Sequence, residues 1–327
     1  MKATVCYIFI VAICKDLSEG FVLHESTVNR TLRDLSHLIE STQENGVRVL
    51  VPSIVRLVFH DCIDGCDACL NLKLPFNKNL DKPIRALESL YRKYKYFMSR
   101  ADFWALASKA ALDVGVDINN RRCHHRDCKT PKIKFRFRYG RVDCITSPLN
   151  GFETHFLSPF TSSSSLFNWF KFWFNLNRNS VVALMGLHTL GKARHPFNET
   201  WDLGNLDGVN NKYYKKIADP NHCWVQEYVE PQMSGLPHKI FYWRTDEFKG
   251  FALPVDMSLY KDVILNPTTG ESSCTYHDCQ NAKTMAMFRL YGEKAHIWTK
   301  HVGLAFPKII EKTRDQLKWP TKVPLSS

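Results

Sequence analysis

Apolar residues recur at intervals of three and four along most of this chain. Val28, Leu32, Leu35, Leu38 and Ile39 keep that spacing, which predicts a helix with one buried face. Ser99 stands before the run Ala101 to Ala107, and its Ser-x-x-Asp start predicts a capping box ahead of good helix formers. Phe288, Tyr291, Ala295 and Trp298 repeat the theme, as do Phe306, Ile309 and Ile310. Strict alternation is rare. Lys132 to Arg138 is its clearest case, so a short strand is expected there and few elsewhere. Thr161 to Ser165 reads as a loop or seam, followed by an aromatic stretch in which Phe167, Phe170 and Phe174 share one helical stripe and Trp169 and Trp173 another. Such a stripe suits core packing better than a membrane surface. No repeat is visible, and the pattern predicts an all-α fold.

Composition narrows this picture only a little. At 327 residues, 44% hydrophobic and 23% charged, the chain is long and apolar enough to bury a large core. A net charge of +12 favours polyanions or matrix material as neighbours, but the cations form no nucleic-acid motif, and no nucleic-acid partner is expected. Lys2 followed by the apolar run Ala3 to Cys14 predicts a signal peptide over about residues 1–20, cleaved between 14 and 21. The mature chain, from residue 21 to 327, is then expected to be one secreted domain. No later segment reaches the roughly 18 apolar residues that a membrane span requires.

Eleven cysteines suit an oxidising compartment, and removal of Cys6 and Cys14 with the signal leaves nine, an odd number. Close spacing makes Cys62–Cys66, Cys123–Cys128 and Cys274–Cys279 candidate local bridges. A zinc reading of Cys123-His124-His125-x-x-Cys128 lacks a second ligand pair of matching spacing. Asn29-Arg30-Thr31 and Asn198-Glu199-Thr200 are glycosylation sequons, which matter only in a secreted chain.

The strongest chemical signal is Arg56-Leu-Val-Phe-His60-Asp-Cys-Ile-Asp-Gly-Cys-Asp-Ala-Cys69. On a helix Arg56 and His60 project from one face. A base and a fixed cation inside an apolar run could take a proton from a small molecule and hold the charge left behind. A core histidine salted by an arginine would give the same pair. His277-Asp278-Cys279 repeats the tripeptide with Ser273 in place of the arginine, so the tripeptide alone proves nothing.

The longer pattern, Arg-x-x-Phe-His-Asp-Cys followed by Gly-Cys-Asp, resembles the distal helix of the plant-type haem peroxidase superfamily. Val181 to Arg194 resembles its proximal segment, over a hundred residues downstream. The resemblance covers about residues 28–312. It implies about ten helices in a distal half (about 21–160) and a proximal half (about 161–315), with haem b between them. It further implies His60 as base, Arg56 as charge stabiliser, Asn77 as acceptor for His60 Nδ1 (Asn79 being the alternative) and His188 as iron ligand. Asp256, in Leu253-Pro-Val-Asp256, would be the carboxylate behind that ligand, although a helix cap is also compatible with its place.

Phe59 matches the distal aromatic of secretory members, and Trp201 the proximal tryptophan of intracellular ones. That mixture suits a secreted, cysteine-rich animal branch. Ser99 to Leu106 and Phe137 to Asp143 also match family segments, with Arg141 and Asp143 expected to tie down a loop. Calcium is implied at a distal site through Asp61, Gly65 and Asp67, where Cys69 replaces a serine and the loop is one residue shorter. A proximal cation is implied through Thr189, Asp202 and Asn205, where Asn210 replaces an aspartate. Ascorbate users carry an arginine where this chain has Phe197, so phenolic donors are expected and ascorbate is not. Peroxide would be the oxidant. A secreted scaffold with the same fold but little catalysis is the rival reading, and retention of Arg56, His60, His188 and Asp256 counts against it.

Overall fold

The computed structural model describes residues 22–145, 156–158, 160–193, 197, 199–202, 204–229, 240–247, 249–264, 272, 274–313 and 316–322. The signal segment, the sequon residue Asn198 and Ser273 lie outside the described residues. Among the described residues ten α-helices run α1 Glu25–Ser41, α2 Leu50–Asp64, α3 Asp81–Tyr94, α4 Arg100–Arg122, α5 Ser163–Phe174, α6 Arg178–Met185, α7 Lys212–Ala218, α8 Pro254–Met257, α9 Met285–Glu293 and α10 Ala295–Ile310. With about 51% of residues helical, the fold is all-α as the periodicity predicts.

The buried faces follow the apolar stripes. Val28, Leu35 and Ile39 of α1 are buried, and α4 is buried over most of its length. On α9 and α10, Phe288, Tyr291, Trp298, Phe306, Ile309 and Ile310 enter the same core. In α5, Leu166, Phe170 and Phe174 pack inward, and Phe170 and Phe174 each lie just over 6 Å from the ring of Phe59. No helix among the described residues is long and apolar enough to cross a membrane.

Three expectations are corrected. Lys132–Arg138 is extended and half-buried but pairs with no strand among the described residues, because alternation reports a two-faced surface and not a ladder partner. The strands lie instead at β1 Val225–Val229, β2 Ile240–Thr245 and β3 Gly250–Ala252, an antiparallel sheet in which Gln226 faces Trp243 and Trp243 faces Ala252. Ser163 to Ser165 form the first turn of α5 and not a loop, because the Ser162 hydroxyl accepts from Ser165 N and starts the helix. The box at the start of α4 is half made. Ser99 Oγ accepts from Asp102 N, but the Asp102 carboxylate turns to Gly140 N and to the Arg141 guanidinium.

That departure builds the main polar tie of the core. Arg141, 2% exposed, bonds Asp102 Oδ1 at 2.7 Å and the Ile310 carbonyl at 2.6 and 2.8 Å. Asp143 accepts from Arg100 N and Ala101 N and so caps α4 from outside. Burial pushes the Asp102 carboxyl up from its ordinary range, opposed by Arg141. A second tie is Asp207, fully buried, which accepts from Arg48 N ahead of α2 and from the Arg122 guanidinium at the end of α4. Asp207 thereby fixes the entry of α2 against α4.

The bridges Cys62–Cys66, Cys123–Cys128 and Cys274–Cys279 are formed, which removes the zinc reading of the Cys123 segment. The spacing gave no hint of the fourth, Cys69–Cys144. Cys223 is the odd thiol among the described residues.

Replacing Arg141 with Met should leave Asp102 buried without its partner. Urea unfolding of this variant is expected to show a loss of about 3–5 kcal/mol, the usual cost of removing one member of a buried ion pair. A loss below about 1 kcal/mol would show that the pair does not hold α4 to α10.

Candidate active site

Near its C-terminal end α2 presents Phe59 and His60 one turn after Arg56. His60 Nδ1 lies 2.8 Å from Asn77 Oδ1, and Asn77 Nδ2 donates to the Asn71 carbonyl at 2.9 Å. The second bond settles which end of the amide meets the histidine: Oδ1 accepts, so Nδ1 carries the proton. Asn77 is 2% exposed and sits in a 3-10 turn, Pro75–Asn77, whose proline opens it. Asn79, the alternative, adopts a left-handed φ of 67° just after that turn. Arg56 donates through Nη1 to the Lys78 carbonyl at 3.2 Å and through Nη2 to the Phe76 carbonyl. It therefore grips the chain on both sides of Asn77. Phe156, which the sequence did not single out, lies with its ring 4.8 Å from that of His60 and stacks on Phe76 at 5.0 Å.

His188 stands in a 3-10 turn, Gly186–Thr189, that continues α6. The change from α to 3-10 geometry frees carbonyls near the end of α6, and side chains answer them. Tyr214 OH donates to the Val182 carbonyl at 2.6 Å and to that of Ala183 at 3.1 Å, while Trp298 Nε1 donates to Ala183 at 2.9 Å. The turn comes so close to these donors that a Cβ on Gly186 would lie 2.3 Å from the Tyr214 hydroxyl and 2.7 Å from Trp298 Nε1.

Behind His188 stands Asp256, with no exposed surface. Its Oδ1 accepts from His188 Nδ1 at 2.7 Å and from Tyr213 OH at 3.1 Å. Its Oδ2 accepts from Trp201 Nε1 at 2.7 Å and from Leu253 N at 2.9 Å. The bond to Leu253 N helps to start α8, so Asp256 meets a helix end as well as His188. Trp201 lies against His188 with ring centroids 4.7 Å apart. Tyr213, which sequence reasoning passed over, is fully buried, and burial pushes its hydroxyl well above the usual range, so it remains a donor.

The donor set fits a haem iron. With Nδ1 directed at a carboxylate, Nε2 is the His188 atom left for a ligand. The ring is 34% exposed although Gly186 and Thr189 beside it are buried, so the nitrogen faces an opening.

The expected cation ligands behave differently. Thr189 donates to Asn210 Oδ1, Asp202 Oδ1 takes the Lys216 ammonium at 2.9 Å, and Asn205 Oδ1 takes the Arg122 guanidinium at 2.9 Å. Each of the three is met by another side chain, two of them cations, while Asp202 Oδ2 is buried without a hydrogen-bond partner. On the other side, Asp61 and Asp67 both accept from Cys69 N at 3.1 Å. Burial, then the nearby Asp67 charge, pushes the Asp61 carboxyl well up. Gly65 caps α2 through its N–H to the Asp61 carbonyl. The sulfur atoms of Cys69 and Cys144 are bonded to each other, which removes them as ligands.

A helical fold with one histidine held by an amide and another by a buried carboxylate defines a haem-binding oxidoreductase. The family profile described as Peroxidase matches residues 33–273, well over half of the chain, and the chain belongs to that family within the plant-type haem peroxidase superfamily. It is a haem peroxidase. A Yarrowia lipolytica protein whose name assigns it as a heme-binding peroxidase is 25% identical over 81% of this chain and 79% of its own. Peroxidase 2 of Cucumis sativus is 23% identical over 81% and 87%. Peroxidase 4 of Vitis vinifera is 28% identical, but the match spans only 43% of this chain and 44% of that protein.

Substituting Gly186 by Ala should drive Tyr214 and Trp298 off the carbonyls they bind. Urea unfolding is expected to report a loss of about 1–3 kcal/mol, the usual cost of overpacking. An unchanged midpoint would mean that the His188 turn has room to shift.

Proposed function

We propose that this chain is a secreted haem b peroxidase that reduces hydrogen peroxide and takes single electrons from two small phenolic donors. The observation that carries the reading is the fourfold grip on Asp256, which holds the His188 ring in place through Nδ1. In this reading His188 Nε2 would hold the haem iron, and His60 and Arg56 would meet the peroxide. When bound, haem supplies a Lewis-acidic iron and the oxidising capacity that the donors draw on.

The protein's own groups handle protons and charge. Asn77 Oδ1 fixes the His60 tautomer without adding charge, which leaves Nε2 as the base. His60 Nε2 takes the proton from the near oxygen of peroxide and returns it to the far one, so that water leaves. Arg56 stabilises the negative charge that develops on the departing oxygen. Asp256 strengthens the His188 ligand, because its carboxylate accepts the Nδ1 proton. Two electrons and two further protons complete the conversion of peroxide to two waters, each donor losing one electron. The proximity of Trp201 to His188 suits it as a relay for those electrons.

Phe197 supports the choice of donor. Its ring packs among Phe160, Tyr242 and Phe251 at 5.4–6.0 Å, an aromatic setting that suits a phenolic donor better than ascorbate. Secretion is supported by the N-terminal apolar run and by four disulfides. The pairing of Phe59 with Trp201 supports a branch distinct from the plant secretory enzymes. Calcium suits the distal carboxylates Asp61 and Asp67 better than the proximal set.

Purified protein should carry one haem per chain, and His188→Ala should lose it or bind it weakly. Unchanged haem affinity and absorption in that variant would overturn the proximal assignment. With haem bound, Asp256→Asn should raise the iron reduction potential, as spectroelectrochemistry would show; an unmoved potential would take the ligand-strengthening role from Asp256.

In stopped-flow mixing with peroxide, His60→Leu is expected to slow the first step by about 10²–10⁴-fold, the usual contribution of a positioned base. Arg56→Leu should slow it by about 10²–10³-fold. A wild-type rate in His60→Leu would leave α2 with a structural role only.

A further inference from the structure

The extended run Lys132–Arg138 carries more charge than its packing needs. Ile133 and Phe137 are buried and Phe135 is half-buried, which is enough to seat the segment. Gly303 of α10 lets the run lie directly on the helix, since a Cβ there would come within 2.5 Å of the Lys134 carbonyl oxygen. Past the run, Tyr139 and Lys318 exchange both main-chain hydrogen bonds, at 3.0 and 2.8 Å, and fix the C-terminal segment alongside.

On the outer side stand Lys132, Lys134, Arg136 and Arg138. In an extended chain such alternate side chains repeat every 6.6–6.8 Å or so, forming a straight row of cations on a backbone that cannot flex away. The indole of Trp319, 45% exposed, lies 4.1 Å from the Arg136 guanidinium carbon and 5.3 Å from that of Arg138. A cavity of about 520 Å³ opens beside the row.

Some of these charges are already answered. Lys132 pairs with Asp117 at 2.6 Å and Arg138 with Glu311. Lys134, Arg136 and Lys318 meet no carboxylate among the described residues. Unpaired cations at a fixed pitch, donors only, ask for a linear polyanion with fixed charges. The exposed indole adds a flat apolar face on which a sugar ring can lie.

We propose that this row and Trp319 form a docking site for a sulfated polysaccharide, which would hold the protein to an extracellular matrix. The choice of a sugar over other polyanions leans on the reading of the chain as secreted, while the site itself stands on the geometry alone.

A heparin dodecasaccharide is the probe, titrated calorimetrically into the full mature protein in 0.15 M NaCl and then across a salt series. Lys134→Ala/Arg136→Ala should weaken binding at least about tenfold and reduce the salt slope by about two, one for each lost contact. The charge-matched control Lys82→Ala/Lys95→Ala, on exposed cations elsewhere, should change affinity by less than about threefold. Trp319→Ala should weaken heparin while leaving the salt slope unchanged. Equal losses in the two double variants, or no binding by the parent protein, would overturn the site. Equal affinity for polyglutamate or a single-stranded oligonucleotide of the same charge, or no effect of Trp319→Ala, would overturn the sugar assignment. None of these outcomes depends on haem or on peroxide turnover, so this test can fail without touching the peroxidase reading, and the reverse.

Discussion

A carboxyl group without solvent is expensive, and Asp256 meets four hydrogen-bond donors in the interior. Each comes from a different part of the chain: the turn after α6, the segment before α7, α7 itself and the residue that opens α8. Four separate stretches are thus referred to one pair of oxygens. The small sheet belongs to the same arrangement, because Phe251 of β3 packs against Trp201 with ring centroids 5.5 Å apart. Displacing any one of these parts costs hydrogen bonds at a site that water cannot repair.

The opposite histidine is treated in the contrary way. Asn77 is a neutral acceptor, fixed by Asn71, so His60 gains orientation without the pull of an anion. Arg56 spends donors on the two carbonyls that flank Asn77, so the residue that offers positive charge also braces the turn that orients the base. Two imidazoles in one molecule acquire different chemistry from what sits at Nδ1: an amide for the one suited to moving protons, a carboxylate for the one suited to binding metal.

Much of this was readable from residues, and the failures have physical causes. Helical periodicity located α1, α4, α9 and α10 because each buries one face or nearly all of its surface. The histidines and their Nδ1 partners came from motif resemblance, since His60 and Asn77 are 17 residues apart and His188 and Asp256 are 68 apart, beyond the reach of any local pattern. Tyr213 was missed because a buried tyrosine beside another, in Tyr213-Tyr214, reads as ordinary core. The strands were missed because β2, Ile-Phe-Tyr-Trp-Arg-Thr, is mostly apolar and lacks alternation, whereas Lys132–Arg138 alternates without a partner. Thr189, Asp202 and Asn205 read as oxygen ligands in sequence, and sequence does not say that Lys216 and Arg122 will also meet two of them.

The four disulfides differ in how hard they are to find. Three close loops of four or five residues, within which partners meet almost at once in an unfolded chain. Cys69–Cys144 closes a separation of 75 residues around α3 and α4; by loop entropy it restrains the unfolded chain by about 4 kcal/mol, against about 2 kcal/mol for the short loops. Cys69 also begins life three residues from Cys66 and seven from Cys62, both faster partners than Cys144. Oxidative folding therefore faces an ordering problem: Cys62 and Cys66 must pair with each other before Cys69 does, or an isomerase must undo the error. A host that oxidises thiols without reshuffling them would accumulate a scrambled α2 hinge, and with it a histidine-bearing helix anchored to the wrong part of the chain.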